Sequence, residues 1–108
     1  MEKYIALHEN AEKFTHLWIQ IDYEKGSYSR PRGYYLSVTP VSREEKNGYI
    51  SIGFTAGRAG YYYKLAAVQR KSKKAEADAL ALAWEIAPGM VARVCDEYNL
   101  HPAEAIKL

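Results

Sequence analysis

Phe14-Thr15-His16-Leu17-Trp18-Ile19-Gln20-Ile21-Asp22-Tyr23 is the stretch that decides the fold class. Leu17, Ile19, Ile21 and Tyr23 fall on alternate positions with His16, Gln20 and Asp22 between them, the repeat of a strand buried on one side. Trp18 lands on the polar side. Downstream the alternation returns three times. Residues 33–41 set Tyr34, Leu36 and Val38 against Tyr35, Ser37 and Thr39. Residues 49–56 set Ile50, Ile52 and Phe54 against Tyr49, Ser51 and Thr55, and residues 61–69 set Tyr61, Tyr63 and Leu65 against Tyr62, Lys64 and Val68. Pro40 has no N–H to give a ladder, so its strand should end there, bulge or lie at an edge.

The connections are short. Glu24 to Gly33 reads as a surface loop, Asn47-Gly48 as a tight hairpin turn and Gly57-Arg58-Ala59-Gly60 as a second turn. Connections this short join antiparallel neighbours, because a parallel crossover takes about a dozen residues or more. Residues 1–12 fit either a helix or a strand, and a strand fits slightly better.

After residue 69 the period changes. Ser72 suits an N-cap, and Ala77, Leu80, Ala81 and Trp84 recur at helical spacing. Pro88-Gly89 should kink or break the helix. Val91, Val94, Cys95 and Tyr98 then continue the helical spacing to about residue 98. Asn99 suits a C-terminus and Pro102 the start of a last short turn. The expected fold is α+β: a four-stranded antiparallel meander with one solvated face, and a C-terminal helix, kinked or broken near Pro88, on the other. At 108 residues the chain fits one domain spanning 1–108.

Composition narrows the function by exclusion. The lone Cys95 offers no internal disulfide, Met1 to Lys13 has no secretory apolar core, and the longest apolar run, Ala79 to Trp84, falls short of the about 20 residues a membrane span needs. A soluble cytoplasmic protein without membrane contact is expected. His8, His16 and His101 sit in three distant segments and Cys95 lies on an apolar helical stripe, so neither a nucleophile–base pair nor a zinc site is indicated. No phosphate-binding glycine loop is present. No metal, no cofactor and no catalytic role are expected.

Two motif matches fail on context. Gly57 to Gly60 spells the GxxG of a KH domain but falls between strands rather than helices. Arg32 to Val38 approximates the RNA-contact motif of an RRM, yet Tyr35 occupies its small-residue position and no helix fits between Tyr23 and Gly33. What remains is aromatic. Ten tyrosines accompany two phenylalanines. Trp18, Tyr35, Tyr49 and Tyr62 all carry the parity of the polar side, where an exposed aromatic surface would suit a protein partner. Arg58, Lys64, Arg70, Lys71, Lys73 and Lys74 supply cations for the alternative, a single-stranded nucleic acid stacked on those rings. A net charge of +2 is too small to decide between them.

Pro31 to Val41, Phe54-Thr55-Ala56 and Arg70-Lys71-Ser72-Lys73-Lys74-Ala75 together resemble a group of small proteins carried on phages and conjugative elements of Gram-positive bacteria. The likeness covers residues 14 to 80. It implies a mobile-element setting, in which small single-domain proteins often bind and block host defence machinery, as anti-CRISPR proteins do, or assist in handling mobile DNA. A non-catalytic protein that docks on and inhibits a host defence nuclease is the expectation. It assigns no functional residue.

Overall fold

The computed structural model describes residues 1–8, 13–26, 31–55, 61–68 and 70–103, with the backbone alone at 54, 61 and 67. Five strands and one helix follow in order: β1 (Glu2–Ala6), β2 (His16–Glu24), β3 (Gly33–Lys46), β4 (Tyr49–Thr55), β5 (Tyr61–Ala67) and α1 (Lys73–Tyr98). β1 to β4 form an antiparallel meander, and the N-terminal segment is its first strand. The α+β class and the C-terminal helix are as the sequence implies.

β5 differs. It was expected to pair with β4, and it pairs with β3 instead. β3 is long enough to hold both partners on one side: Val41 to Lys46 pair with β4 and Gly33 to Val38 with β5. Thr39 and Pro40 stand opposite the gap between them. The Thr15 N–H donates to the Val41 carbonyl (2.9 Å), so Val41 turns its peptide groups toward β2 and the nitrogen of Pro40 points to the other side. The strand therefore runs through Pro40, because the absent donor faces the place where no ladder partner stands. The turn at 57–60 lies outside the described residues.

α1 packs against β2, β3 and β5. It covers Leu17, Ile19, Leu36 and Val38, all fully buried, with Ile21, Tyr34 and Leu65 beside them. The helix presents Ala79, Ala83, Ala87, Met90, Val91 and Val94 to this layer. The expected N-terminal stripe of Ala77, Leu80, Ala81 and Trp84 is displaced: Ala77 and Ala81 are exposed, while Leu80 and Trp84 pack at the margin. Ser72 caps α1, its hydroxyl accepting from Ala75 N–H at 3.0 Å.

Pro88 does not break the helix, which is continuous from Lys73 to Tyr98. Pro88 and Gly89 are both exposed, so the carbonyl left without its i+4 donor lies on the solvent side, where water can serve it. Asn99 adopts the left-handed conformation (φ 53°), and the Leu100 N–H closes onto the Cys95 carbonyl at 2.8 Å. Pro102 bridges Leu7 beside the end of β1, and the rest of the short turn expected to start there lies outside the described residues. The helix is not long and apolar enough to cross a membrane.

Candidate functional site

Register assigns every strand residue to the face under α1 or to the opposite one, because cross-strand partners share a face. On the opposite face lie Glu2 and Tyr4 of β1, with His16, Trp18, Gln20, Asp22 and Glu24 of β2. Tyr35, Ser37, Thr39, the fully buried Val41 and Arg43 of β3 lie there too, with Tyr62 and Lys64 of β5. Among the described residues no element packs across this face.

Two aromatic groups stand on it. Tyr4 stacks on Trp18 with centroids 5.8 Å apart and planes within 9°, and meets His16 edge-on at 6.1 Å. The Arg43 guanidinium lies 4.4 Å from the Tyr4 centroid, and Trp18 Nε1 donates to Glu2 at 2.9 Å. The second group is Tyr35 and Tyr62, 5.0 Å apart. The Tyr62 hydroxyl donates to Glu24, and that of Tyr35 to the Pro31 carbonyl at 2.6 Å. Four strand positions, about 13 Å, separate Trp18 from Asp22 beside the second pair. Gln20, Ser37 and Thr39 fill the interval, all half-buried.

The four rings singled out from the sequence do not form one patch. Trp18 is half-buried and Tyr62 is 40% exposed, and both stand on the open face. Tyr35 has the expected parity but is only 4% exposed, so its ring supports Tyr62 rather than meeting a partner. Tyr49, 78% exposed, is on the other face. The cause is a bulge in β4. Ser42 pairs with Phe54 and Arg43 with Ile52, so Gly53 is an extra residue and every β4 position before it changes sides. Ile50 and Ile52 thereby join the open face, and Tyr49 pairs with Lys46 behind it.

Tyr4 and Arg43 were not foreseen. Arg43 is four positions beyond Thr39 on a strand expected to stop near Pro40, so only the continuation of β3 brings it over Tyr4. Burial pushes the Tyr4 hydroxyl pKa up, with Glu2 adding to the rise and Arg43 opposing it. Burial holds His16 below its ordinary value, and the Arg43 charge adds to that.

The cations fall elsewhere. Arg70, Lys71, Lys73 and Lys74 are exposed at the start of α1, and Lys71 Nζ sits 5.3 Å from the Tyr23 centroid on the helix-covered side. Lys71 also lines a cleft of about 170 Å³ with Met1, Tyr34 and Glu76. Lys64 alone of the group shares the open face. Arg58 lies outside the described residues. Cys95 is partly buried on α1, and that burial raises its thiol pKa. Among the described residues no three His, Cys, Asp or Glu side chains converge as a metal site. Comparison with known protein families, curated proteins and solved structures finds no match for the chain.

Proposed function

We propose that this chain is a non-catalytic docking protein that seats a protein partner on the open face of its sheet. One observation carries the reading: α1 covers a single face, and the other holds Tyr4, Trp18 and Tyr62 around a polar centre at Gln20 and Ser37. Rings flanking hydrogen-bonding groups are the composition of interface anchors.

Charge favours a protein over nucleic acid. Register puts the carboxylates of Glu2, Asp22, Glu24 and Glu45 on this face against the cations of Arg43 and Lys64. An excess of carboxylate repels phosphate and suits a basic partner surface. The DNA-binding groove of a nuclease is such a surface. With the resemblance of residues 14 to 80 to proteins of phages and conjugative elements, this supports an inhibitor of a host defence nuclease, acting in the cytoplasm like an anti-CRISPR protein. The nucleic-acid alternative needs rings and cations on one surface, and Arg70, Lys71, Lys73 and Lys74 lie away from the rings.

Capture from host cells on the immobilised chain tests this. The expected result is a protein whose affinity falls about thirtyfold or more, roughly 2 kcal/mol, in Tyr62→Ala combined with Gln20→Lys, with the melting temperature nearly unchanged. Neutralising Arg70, Lys71, Lys73 and Lys74 should leave that affinity in place. Recovery of nucleic acid instead, lost steeply with salt and lost on neutralising the four cations, would refute the proposal.

A further inference from the structure

Among the described residues no strand pairs with the outer side of β4 from Tyr49 to Gly53. Lys46 and Tyr49 flank the two-residue turn Asn47-Gly48, whose φ angles of 55° and 80° are those of a tight hairpin. Lys46 and Tyr49 are then a hydrogen-bonded pair, and so are Glu44 and Ser51. The peptide groups of Ile50 and Ile52 point away from β3. A separate contact agrees: Arg43, opposite Ile52, gives its N–H to Thr15 Oγ1 on the β2 side at 2.8 Å. Among the described residues β4 packs against β3, and no backbone bond reaches the outer side of the stretch from Tyr49 to Gly53.

Natural edges are commonly blunted by Lys, Pro or inward charges. Tyr49-Ile50-Ser51-Ile52-Gly53-Phe54-Thr55 has none of these, and its single bulge at Gly53 comes after the outward residues. Ile50 is 50% exposed and Tyr49 78%. This is an edge made for another strand.

We propose that the strand is β4 of a second copy, paired antiparallel about a twofold axis through Ser51. The spacing of the residues argues for self-pairing. Ile50 and Ile52 are placed symmetrically about Ser51, so each outward residue meets the other across the axis and the two exchange both backbone hydrogen bonds. Their side chains meet as Ile–Ile pairs on the open face. Tyr49 and Gly53 are symmetric about the same residue. The exposed Tyr49 ring therefore stands opposite Gly53 of the second copy, where even a Cβ would meet nothing within 4 Å. An aromatic ring covering an edge glycine is a stabilising cross-strand pair. β4 is uncharged, so the symmetric approach brings no like charges together along it. Such an isologous contact closes on itself and stops at two copies.

Sedimentation equilibrium of the full chain from low to high micromolar concentration tests the pairing. The expected result is a reversible monomer–dimer equilibrium. Ile50→Pro removes an outward N–H that β3 does not use, so it should raise the dissociation constant at least tenfold and leave the far-ultraviolet circular dichroism unchanged. A Ser51→Cys, Cys95→Ala double variant should oxidise to a disulfide-linked dimer, while Leu82→Cys, Cys95→Ala, with its thiol exposed on α1, should not. A wild-type chain that stays monomeric throughout overturns the proposal. So does a dimer that Ile50→Pro leaves intact. Should Ile50→Pro fail to fold, the cysteine pair decides: equal cross-linking at 51 and 82, or none at 51, rejects the twofold at Ser51.

Discussion

Ala83 is fully buried between Ala79 and Ala87, which are also buried, while Ala81 on the same helix is exposed. Substituting leucine at each position tests which side of α1 faces the sheet, and hence which sheet face is open. At position 83 the added carbons must enter the buried layer between α1 and the sheet, which already holds Leu36 and Val38. Forcing extra methylenes into a packed core costs about 1–3 kcal/mol. For a domain of this size each kcal/mol moves the melting temperature by about 4–8 °C, so Ala83→Leu should lower it by about 4–24 °C. Ala81→Leu meets water and should change stability by no more than about 0.5 kcal/mol. Thermal and urea melts followed by circular dichroism at 222 nm read both. A neutral Ala83→Leu together with a damaging Ala81→Leu would mean that α1 is rotated about its axis, and the open face would have to be reassigned.

Two further outcomes follow from the same architecture. Pro88→Ala restores the N–H missing from a continuous helix and should stabilise the protein by about 1–3 kcal/mol in urea unfolding; a loss of stability would show that the proline is needed where it stands. His16 is held below its ordinary pKa of 6.5, chiefly by burial. Acid therefore protonates it first in the unfolded chain, and stability should fall as pH drops through 6.5 toward the folded value. His16→Gln should flatten that segment of the urea midpoint against pH, and an unchanged slope would exclude His16 as its source.

Alternation made most of the sheet legible. Leu17, Ile19 and Ile21, then Leu36 and Val38, are buried as their period demands, and Asn47-Gly48 forms the turn its residues favour. Local pattern failed where a distant partner decided the outcome. Pro40 ends a strand only if its nitrogen side is paired, and that depends on β4 and β5 sharing one flank of β3. One extra residue at Gly53 moved Tyr49 off the face it was assigned to, and nothing in Tyr49 to Thr55 marks the bulge except the glycine itself. The helix was misread at its start because Leu80 and Trp84 outweigh the alanines in apolarity. Small residues at 79, 83 and 87 let the helix lie close to the sheet, so small size, not apolarity, marked the buried side. Of the candidate site, Trp18 and Tyr62 could be found from parity, whereas Tyr4 and Arg43 required the β1–β2 pairing and the full length of β3.

The order of elements along the chain has a consequence for synthesis. Every strand precedes α1, so the apolar face of Leu17, Ile19, Leu36 and Val38 leaves the ribosome before the helix that covers it. At about 5–20 residues per second, the stretch from Ala67 to Tyr98 takes about 2–6 s to add. The β2–β3 pair, formed from residues close in sequence, can assemble in far less time than that. Until α1 is made, one side of the nascent sheet has no helix to cover it, and exposed apolar surface of that kind favours aggregation. Residues 101–103 then close the structure by bonding back to Ala6 and His8, at 2.9 and 2.7 Å. The first strand to be made thus receives its final contacts from the last described residues of the chain.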